Sequence, residues 1–301
     1  MIDFQNVSFS YGEESSGGGI RNVNLTINTG EFVLLTGESG CGKTTITRLV
    51  NGLVPHYYEG NLEGDVLLDG KSVSDTPLYD LAAMVGSVFQ NPKSQFFNVD
   101  TDSELAFACE NLGYPQEDIL KRIDRTVSDY HIEDLMGRSV FALSGGEKQK
   151  IACASSSVLL PGIMVLDEPS SNLDMAAIDD LRQVLSLWKK QGKTILIAEH
   201  RLYYLHDLAD RVLYVKDGEI EREYTPAEFD SLSDGTRKEM GLRPFSLSKL
   251  KPANQYQAHT AKQMEFQNFC FAYKKREPES LHIPSAELPV GETIAIIGLN
   301  G

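Results

Sequence analysis

Residues Gly37, Glu38, Ser39, Gly40, Cys41, Gly42, Lys43 and Thr44 form the pattern G-x-x-x-x-G-K-T between the apolar run FVLLT and the helix-like stretch TTITRLVNGL. Glycines at this spacing let successive backbone N–H groups turn toward one anion. The helix that follows adds a partly positive N-terminus, Lys43 adds a full charge, and Thr44 adds a hydroxyl suited to Mg2+. A second constellation is Asp167-Glu168, which closes the apolar run Ile163-Met164-Val165-Leu166. A carboxylate at a strand end beside a phosphate loop can hold Mg2+ through water, and its neighbour can orient the attacking water. Glu168 is therefore the candidate base, and the two constellations together imply hydrolysis of a nucleotide.

Such chemistry needs elements that bring residues 37–44 and 167–168 to one place. Short apolar runs at Phe32–Thr36, Val85–Phe89, Ile163–Leu166 and Thr194–Ala198 alternate with helical segments. That pattern predicts an α/β core with parallel strands. Asp102–Arg138 contains no such run and is expected to be a helical insertion. Val212–Val215 and Glu219–Tyr224 flank Lys216-Asp217-Gly218 and predict a hairpin with an Asp-Gly turn. Ser15–Gly19 is expected to be a flexible turn between N-terminal strands.

The 301 residues hold 28 Lys and Arg against 43 Asp and Glu, a net charge of −15, with 41% apolar residues. This balance disfavours a nucleic-acid partner bound by neutralising phosphates. Val158–Leu166, the longest nearly unbroken apolar stretch, contains Pro161 and Gly162 and falls short of the about 20 residues that span a bilayer. Nothing at Met1 resembles a leader, and Cys41, Cys109, Cys153 and Cys270 form no C-x-x-C pair. We expect a reduced cytoplasmic protein without a disulfide frame or a zinc site. Cys41 is expected to fill the loop, and its place beside Lys43 and ahead of a helix would favour thiolate.

Residues 1–11, MIDFQNVSFSY, recur as 263–273, QMEFQNFCFAY, and Gly30-Glu31 before FVLLTG recurs as Gly291-Glu292 before TIAIIG. The chain thus contains one module over 1–234 and the start of a second over 263–301. The second stops at the fourth residue of its own glycine-rich loop and is expected to be truncated. Between them, residues 235–262 carry six Lys or Arg against one Glu and two prolines, which predicts a solvated basic linker.

Leu143-Ser144-Gly145-Gly146-Glu147-Lys148-Gln149 resembles the signature sequence of ATP-binding-cassette (ABC) ATPases. The family's other marks follow in its order: Tyr11 in V-x-F-x-Y, Gln90 in VFQNP, Ser171-Asn172-Leu173-Asp174 after Asp-Glu-Pro, and His200 after TILIA. Glu147 stands where Gln is commonest, Lys150 where Arg is usual, and Ser171 where Ala is frequent. The Ser-Gly-Gly donors and every catalytic residue are kept.

The resemblance implies an α/β P-loop NTPase core of ABC type, with an N-terminal antiparallel β subdomain and an inserted helical signature subdomain over residues 91–160. It implies ATP and Mg2+ as cofactors, with Tyr11 stacked on adenine and Gly37, Ser39, Gly40, Cys41, Gly42, Lys43, Thr44 and Thr45 around the phosphates. Thr44, Gln90 and Asp167 would attend the metal. Lys43, Gln90, Glu168 and His200 would be catalytic. Ser144, Gly145 and Gly146 would clamp the γ-phosphate of a second, opposed cassette, supplied in cis or by a homodimer, and Asp174 would communicate between the sites. On residue type alone, Tyr11 could instead be a half-buried strand aromatic, Gln90 a strand cap and His200 a helix cap.

The stretches from Asn51 to Gly70 and from Val88 to Gly113 resemble tandem-cassette ATPases of energy-coupling-factor importers, which move vitamins or transition-metal ions. That likeness implies transmembrane transporter subunits as partners, a peripheral place on the cytoplasmic face of the cell membrane, and docking at Asn91–Phe97. Phe96-Phe97 could instead be core of the insertion. The alternative class is a soluble tandem-cassette ATPase acting on ribosomes or DNA, against which stand the short linker and the acidic body.

Overall fold

The structure, a computed structural model, describes residues 1–12, 18–245, 263–273 and 279–296. The chain divides into two units, Met1–Lys249 and Leu250–Gly298.

In the first unit, β1 (Ile2–Tyr11) pairs antiparallel with β2 (Gly19–Ile27). β3 (Phe32–Thr36) runs into the glycine-rich loop and then α1 (Lys43–Val50). A single turn, α2 (Leu53–His56), leads to β4 (Gly60–Leu68) and the short β5 (Lys71–Ser72), which complete a four-stranded sheet ordered β2-β1-β4-β5. α3 (Leu78–Met84) then enters β6 (Val85–Val88), one residue shorter than expected. The insertion follows as α4 (Thr101–Asn111), α5 (Gln116–Tyr130) and α6 (Gly145–Ser157). β7 (Ile163–Asp167), α7 (Met175–Lys190), β8 (Thr194–Ala198), β9 (Arg211–Lys216) and β10 (Glu219–Tyr224) return the chain to a second sheet ordered β10-β9-β3-β8-β7-β6. This sheet is parallel except at β10, where the Asp217-Gly218 turn makes the expected hairpin.

The apolar strands are continuous because both faces of this sheet are covered. Phe32 and Leu34 enter one core with Met164, Leu166, Ile195 and Ile197, while Val33 and Leu35 enter another with Val165, Leu196 and Ala198. The first core is roofed by α7, whose Ile178, Leu181, Leu185 and Trp188 recur at helical spacing. The second core joins the sheet to α1 and the antiparallel strands. Phe96 packs against the first core, whereas Phe97 is 75% exposed and stacks on Phe107.

The expected linker does not begin at 235. α8 (Pro226–Asp230) is followed by α9 (Asp234–Glu239), capped by Ser233, and Phe245 is fully buried in the first core. Its apolar ring and the cap hold the first part of the basic stretch to the module. The rest of that stretch, 246–262, lies outside the described residues, as do Glu13–Gly17 of the N-terminal turn and the second glycine-rich loop.

The second unit contains a hairpin of β11 (Gln263–Phe271) and β12 (Leu281–Pro289). At its two ends its register matches that of β1 and β2: Ile2↔Ile27 becomes Met264↔Leu288, and Phe9↔Ile20 becomes Phe271↔Leu281. The left-handed Asn6 recurs as Asn268. Cys270, Glu279 and His282, all exposed, come within 4.8 Å of one another there. Strand pairing makes this juxtaposition of metal-ligand types, which the lack of a C-x-x-C pair had not led us to expect. Among the described residues no helix is long and apolar enough to cross a membrane.

Candidate functional site

Parallel strands place the ends of β3, β6, β7 and β8 on one edge of the sheet, the usual place for a ligand in such folds. Gly37 begins the loop at φ 150, and a Cβ on it would lie 2.1 Å from the Val215 carbonyl oxygen. Only glycine lets the loop pass that close to β9. At the far end Gly42 begins α1 with no side-chain cap and no acidic residue in the first turn, which leaves the helix N-terminus open to an anion.

Lys43 is 4% exposed, and its Nζ donates to the carbonyls of Gly37 at 3.0 Å and Glu38 at 2.9 Å and approaches Cys41 Sγ at 3.6 Å. A buried ammonium held by two carbonyls and a thiol, without a carboxylate, suits a phosphate. Thr44 Oγ1 donates to Asp167 Oδ1 at 3.2 Å, a pair of hard oxygens suited to a divalent cation. Burial raises the Asp167 carboxyl above its ordinary pKa, offset by the Thr44 bond and reinforced by Glu168. A cation beside it would relieve that cost. These residues therefore fit both nucleotide phosphates and Mg2+.

Glu168 has φ 44, and its N–H donates to Ala198 O at 2.8 Å. Its carboxylate receives Gln90 Nε2 at 3.1 Å, and His200 Nε2 lies 3.1 Å away. Burial and the Lys43 charge lower the His200 pKa, against the pull of Glu168 and Glu199. Sequence separations of 78 and 32 residues thus close around one carboxylate.

Tyr11 is half-buried, packs edge-on to Phe9 and Tyr58, and shares a 3.2 Å hydrogen bond with Thr45 Oγ1. Arg48 donates to the Tyr11 hydroxyl at 3.0 Å and lies over the Tyr58 ring at 4.1 Å. Arg48 was not foreseen, because a lone arginine inside a helix has no motif. A groove of about 560 Å³ bordered by Arg48, Tyr57, Tyr58, Gln90, Phe97 and Asp167 opens beside this cluster.

Ser144, Gly145 and Gly146 stand apart from the phosphate loop, and no described contact joins them to it. Ser144 caps α6 in a reciprocal pair with Glu147, and Gly146 lies against Ala177 of α7. Asp174 caps α7 through Ala177 N. Cys41 is 7% exposed within the second core. It fills space as expected, and burial shields its thiol. Glu199, which the sequence did not single out, is buried and accepts from the N–H groups of Ser170, His200 and Arg201 and from Tyr204 Oη. It ties the loop after β7 to the loop after β8.

Residues 20–171 match the family model described as ABC transporter. The whole chain is 43% identical over 306 aligned positions to a protein of Treponema denticola named as an ABC transporter ATP-binding protein, covering 62% of that relative. The chain therefore spans about three fifths of the length of this relative. A relative of the same description from Pyrococcus abyssi is 40% identical over 229 residues, 76% of this chain and 81% of that protein. Among solved structures, cbiO1 from Clostridium perfringens, described as part of the ABC transporter complex cbiONQ, aligns with TM-score 0.68 and 27% identity over 79% of this chain and 93% of its own. The ATP-binding cassette MJ0796, in a dimer bound to ADP and Pi, aligns with TM-score 0.65 and 26% identity over 75% of this chain and 99% of its own. The matching family model, the sequence relatives and the shared α/β architecture with its antiparallel sheet and helical insertion agree that this chain belongs to the ABC transporter ATP-binding family.

Proposed function

We propose that the chain is an ATP-binding and hydrolysing subunit that powers an importer of the energy-coupling-factor type. The observation that carries this is the meeting of Gln90, Glu168 and His200 beside the Thr44–Asp167 pair and the buried Lys43. In this reading Tyr11 stacks on adenine, Gly37–Thr45 cradle the phosphates, and Thr44, Asp167 and Gln90 hold Mg2+. Bound Mg2+ supplies neutralisation of charge on the terminal phosphates. Gln90 orients a water, Glu168 accepts its proton, and His200 hydrogen-bonds the γ-phosphate. Ser144, Gly145 and Gly146 are assigned to the opposite cassette's nucleotide. The match of the β1–β2 register at the two ends of β11–β12 supports a second cassette as that partner, with 263–301 as its start.

For the importer subclass, support comes from the cbiO1 likeness and from the exposed Phe97 and its groove, which suit a helix of a transmembrane partner on the cytoplasmic face. The transported solute is then a vitamin or a transition-metal ion. Equilibrium binding of Mg-ATP to the 301-residue chain, with Lys43→Ala as control, tests the nucleotide reading, and absence of binding by the parent overturns it. Recovery of the tagged protein from its native cells tests the subclass. Polytopic membrane proteins in the eluate support it, whereas ribosomes or DNA would favour the soluble alternative.

A further inference from the structure

Residues 234–245 lie past the last strand of the first module, and the reading above gives them no task. Their placement is specific. The carbonyl of Met240, which closes α9, accepts a hydrogen bond from Tyr214 Oη at 3.2 Å. Tyr214 pairs with Thr36 across parallel β9 and β3, so this bond pins the segment beside the residue that precedes Gly37. Gly241 then presses on the phosphate loop itself: at φ 66, a Cβ on it would meet Glu38 Cγ at 2.6 Å and Glu38 Oε1 at 2.7 Å. Four residues on, Phe245 is fully buried between His206 and Phe229, with ring centroids at 5.0 and 5.2 Å. His206 belongs to the segment that follows His200.

Arg243 is therefore the midpoint of a strap pinned at the phosphate loop on one side and against His206 and Phe229 on the other. Two residues span at most about 7 Å, so neither anchor is beyond reach of a long side chain. The Arg243 side chain is exposed and makes no salt bridge with a described residue. Its charge is nonetheless felt at His200, where it lowers the imidazole pKa together with Lys43. The phosphate loop thus has one buried cation, Lys43, and the strap that touches its Glu38 carries a second, exposed cation two residues on.

We propose that Arg243 is a phosphate-binding residue whose guanidinium reaches the terminal phosphates of the nucleotide held by Gly37–Thr45, with Gly241–Phe245 as the strap that presents it. This rests on the nucleotide reading above. A guanidinium offers two parallel N–H donors to phosphate oxygens, which an ammonium cannot. Because its charge is felt at His200, the residue assigned to the γ-phosphate, Arg243 is expected to favour ATP over ADP.

The test is equilibrium binding of fluorescent ATP and ADP analogues, with Mg2+, to the full chain and to Arg243→Ala, Arg243→Lys and Lys43→Ala, alongside melting of each protein without nucleotide. Arg243→Ala is expected to weaken ATP about tenfold, to weaken ADP by less than about threefold, and to melt with the parent. Arg243→Lys recovers part of the ATP affinity. If Arg243→Ala binds ATP as the parent does while Lys43→Ala loses it, Arg243 is no phosphate ligand and the nucleotide reading stands. Equal losses for ATP and ADP with a lowered melting point would likewise overturn the assignment, since they report only a loosened strap. If the parent binds neither nucleotide, both readings fall.

Discussion

Glu168→Gln isolates proton acceptance from everything else that residue does. The amide has the same size, and its backbone keeps the left-handed φ and the bond from Glu168 N to Ala198 O. Gln90 and His200 each sit 3.1 Å from the carboxylate, so the remaining amide oxygen can keep one of them while the new NH2 faces the other. The structural change is one lost charge-assisted contact at a half-buried position. The chemical change is larger: loss of a general base lowers turnover by about 10² to 10⁴, a barrier rise of about 3 to 5 kcal/mol. ATP affinity should hold or improve, because a negative charge leaves the neighbourhood of the phosphates. Phosphate release under multiple turnover and equilibrium nucleotide binding, both followed over a range of protein concentrations, separate the two effects. Parental turnover should rise more than linearly with concentration if opposed cassettes are needed. A loss below about tenfold, or a matching loss of ATP binding, would refute Glu168 as the base.

Tyr11→Ala should raise Kd for ATP and ADP alike by about tenfold, the scale of one base–aromatic stack, and titration with both nucleotides checks it; an unchanged Kd would leave Tyr11 a packing residue held by Arg48. Burial raises the folded-state Asp167 pKa, so its contribution to stability is present below the ordinary carboxylate range and is lost as pH rises through the raised value. Nucleotide-free Asp167→Asn should accordingly melt ~2 °C above the parent at pH 7, lose that advantage at pH 4, and fail to bind Mg-ATP; a lower melting point at pH 7 contradicts the argument. Maleimide at pH 8 should label Cys270 first, because Cys41, Cys109 and Cys153 are buried and burial pushes Cys153 up to about 12. Peptide mapping reads this directly, and faster labelling of Cys41 would show that the phosphate loop opens in solution.

The sheet was legible because its strands are buried on both faces and therefore read as unbroken apolar runs. The phosphate loop was legible because its glycines answer local backbone demands, as at Gly37 against Val215. Arg48 and Glu199 were not. Arg48 matters through contacts with Tyr11 and Tyr58, from two other elements, and Glu199 through donors on Ser170 and Tyr204. Neither arrangement leaves a spacing to read. The boundary at 234 failed for a related reason: composition called the basic stretch a tether, yet a single buried Phe245 outweighs several solvated charges.

The departure at Glu147 has a physical account in the same terms. A carboxylate at the start of a helix assigned to clamp phosphate would repel the ligand if it stood alone. Here Glu147 accepts from Ser144 N at 2.7 Å and from Arg138 at 2.9 Å, and these bonds, the backbone one foremost, hold its pKa below the ordinary value. Its two carboxylate oxygens are therefore engaged locally, Oε2 by the Ser144 N–H and Oε1 by Arg138. What remains unspent are the N–H groups at the start of α6, since Ser144 Oγ takes only that of Glu147. In such a first turn the Gly145 and Gly146 amides have no partner inside the helix. The substitution thus leaves intact the donors that the paired-cassette reading requires, and it makes Arg138, which carries no family motif, the residue that neutralises the signature helix.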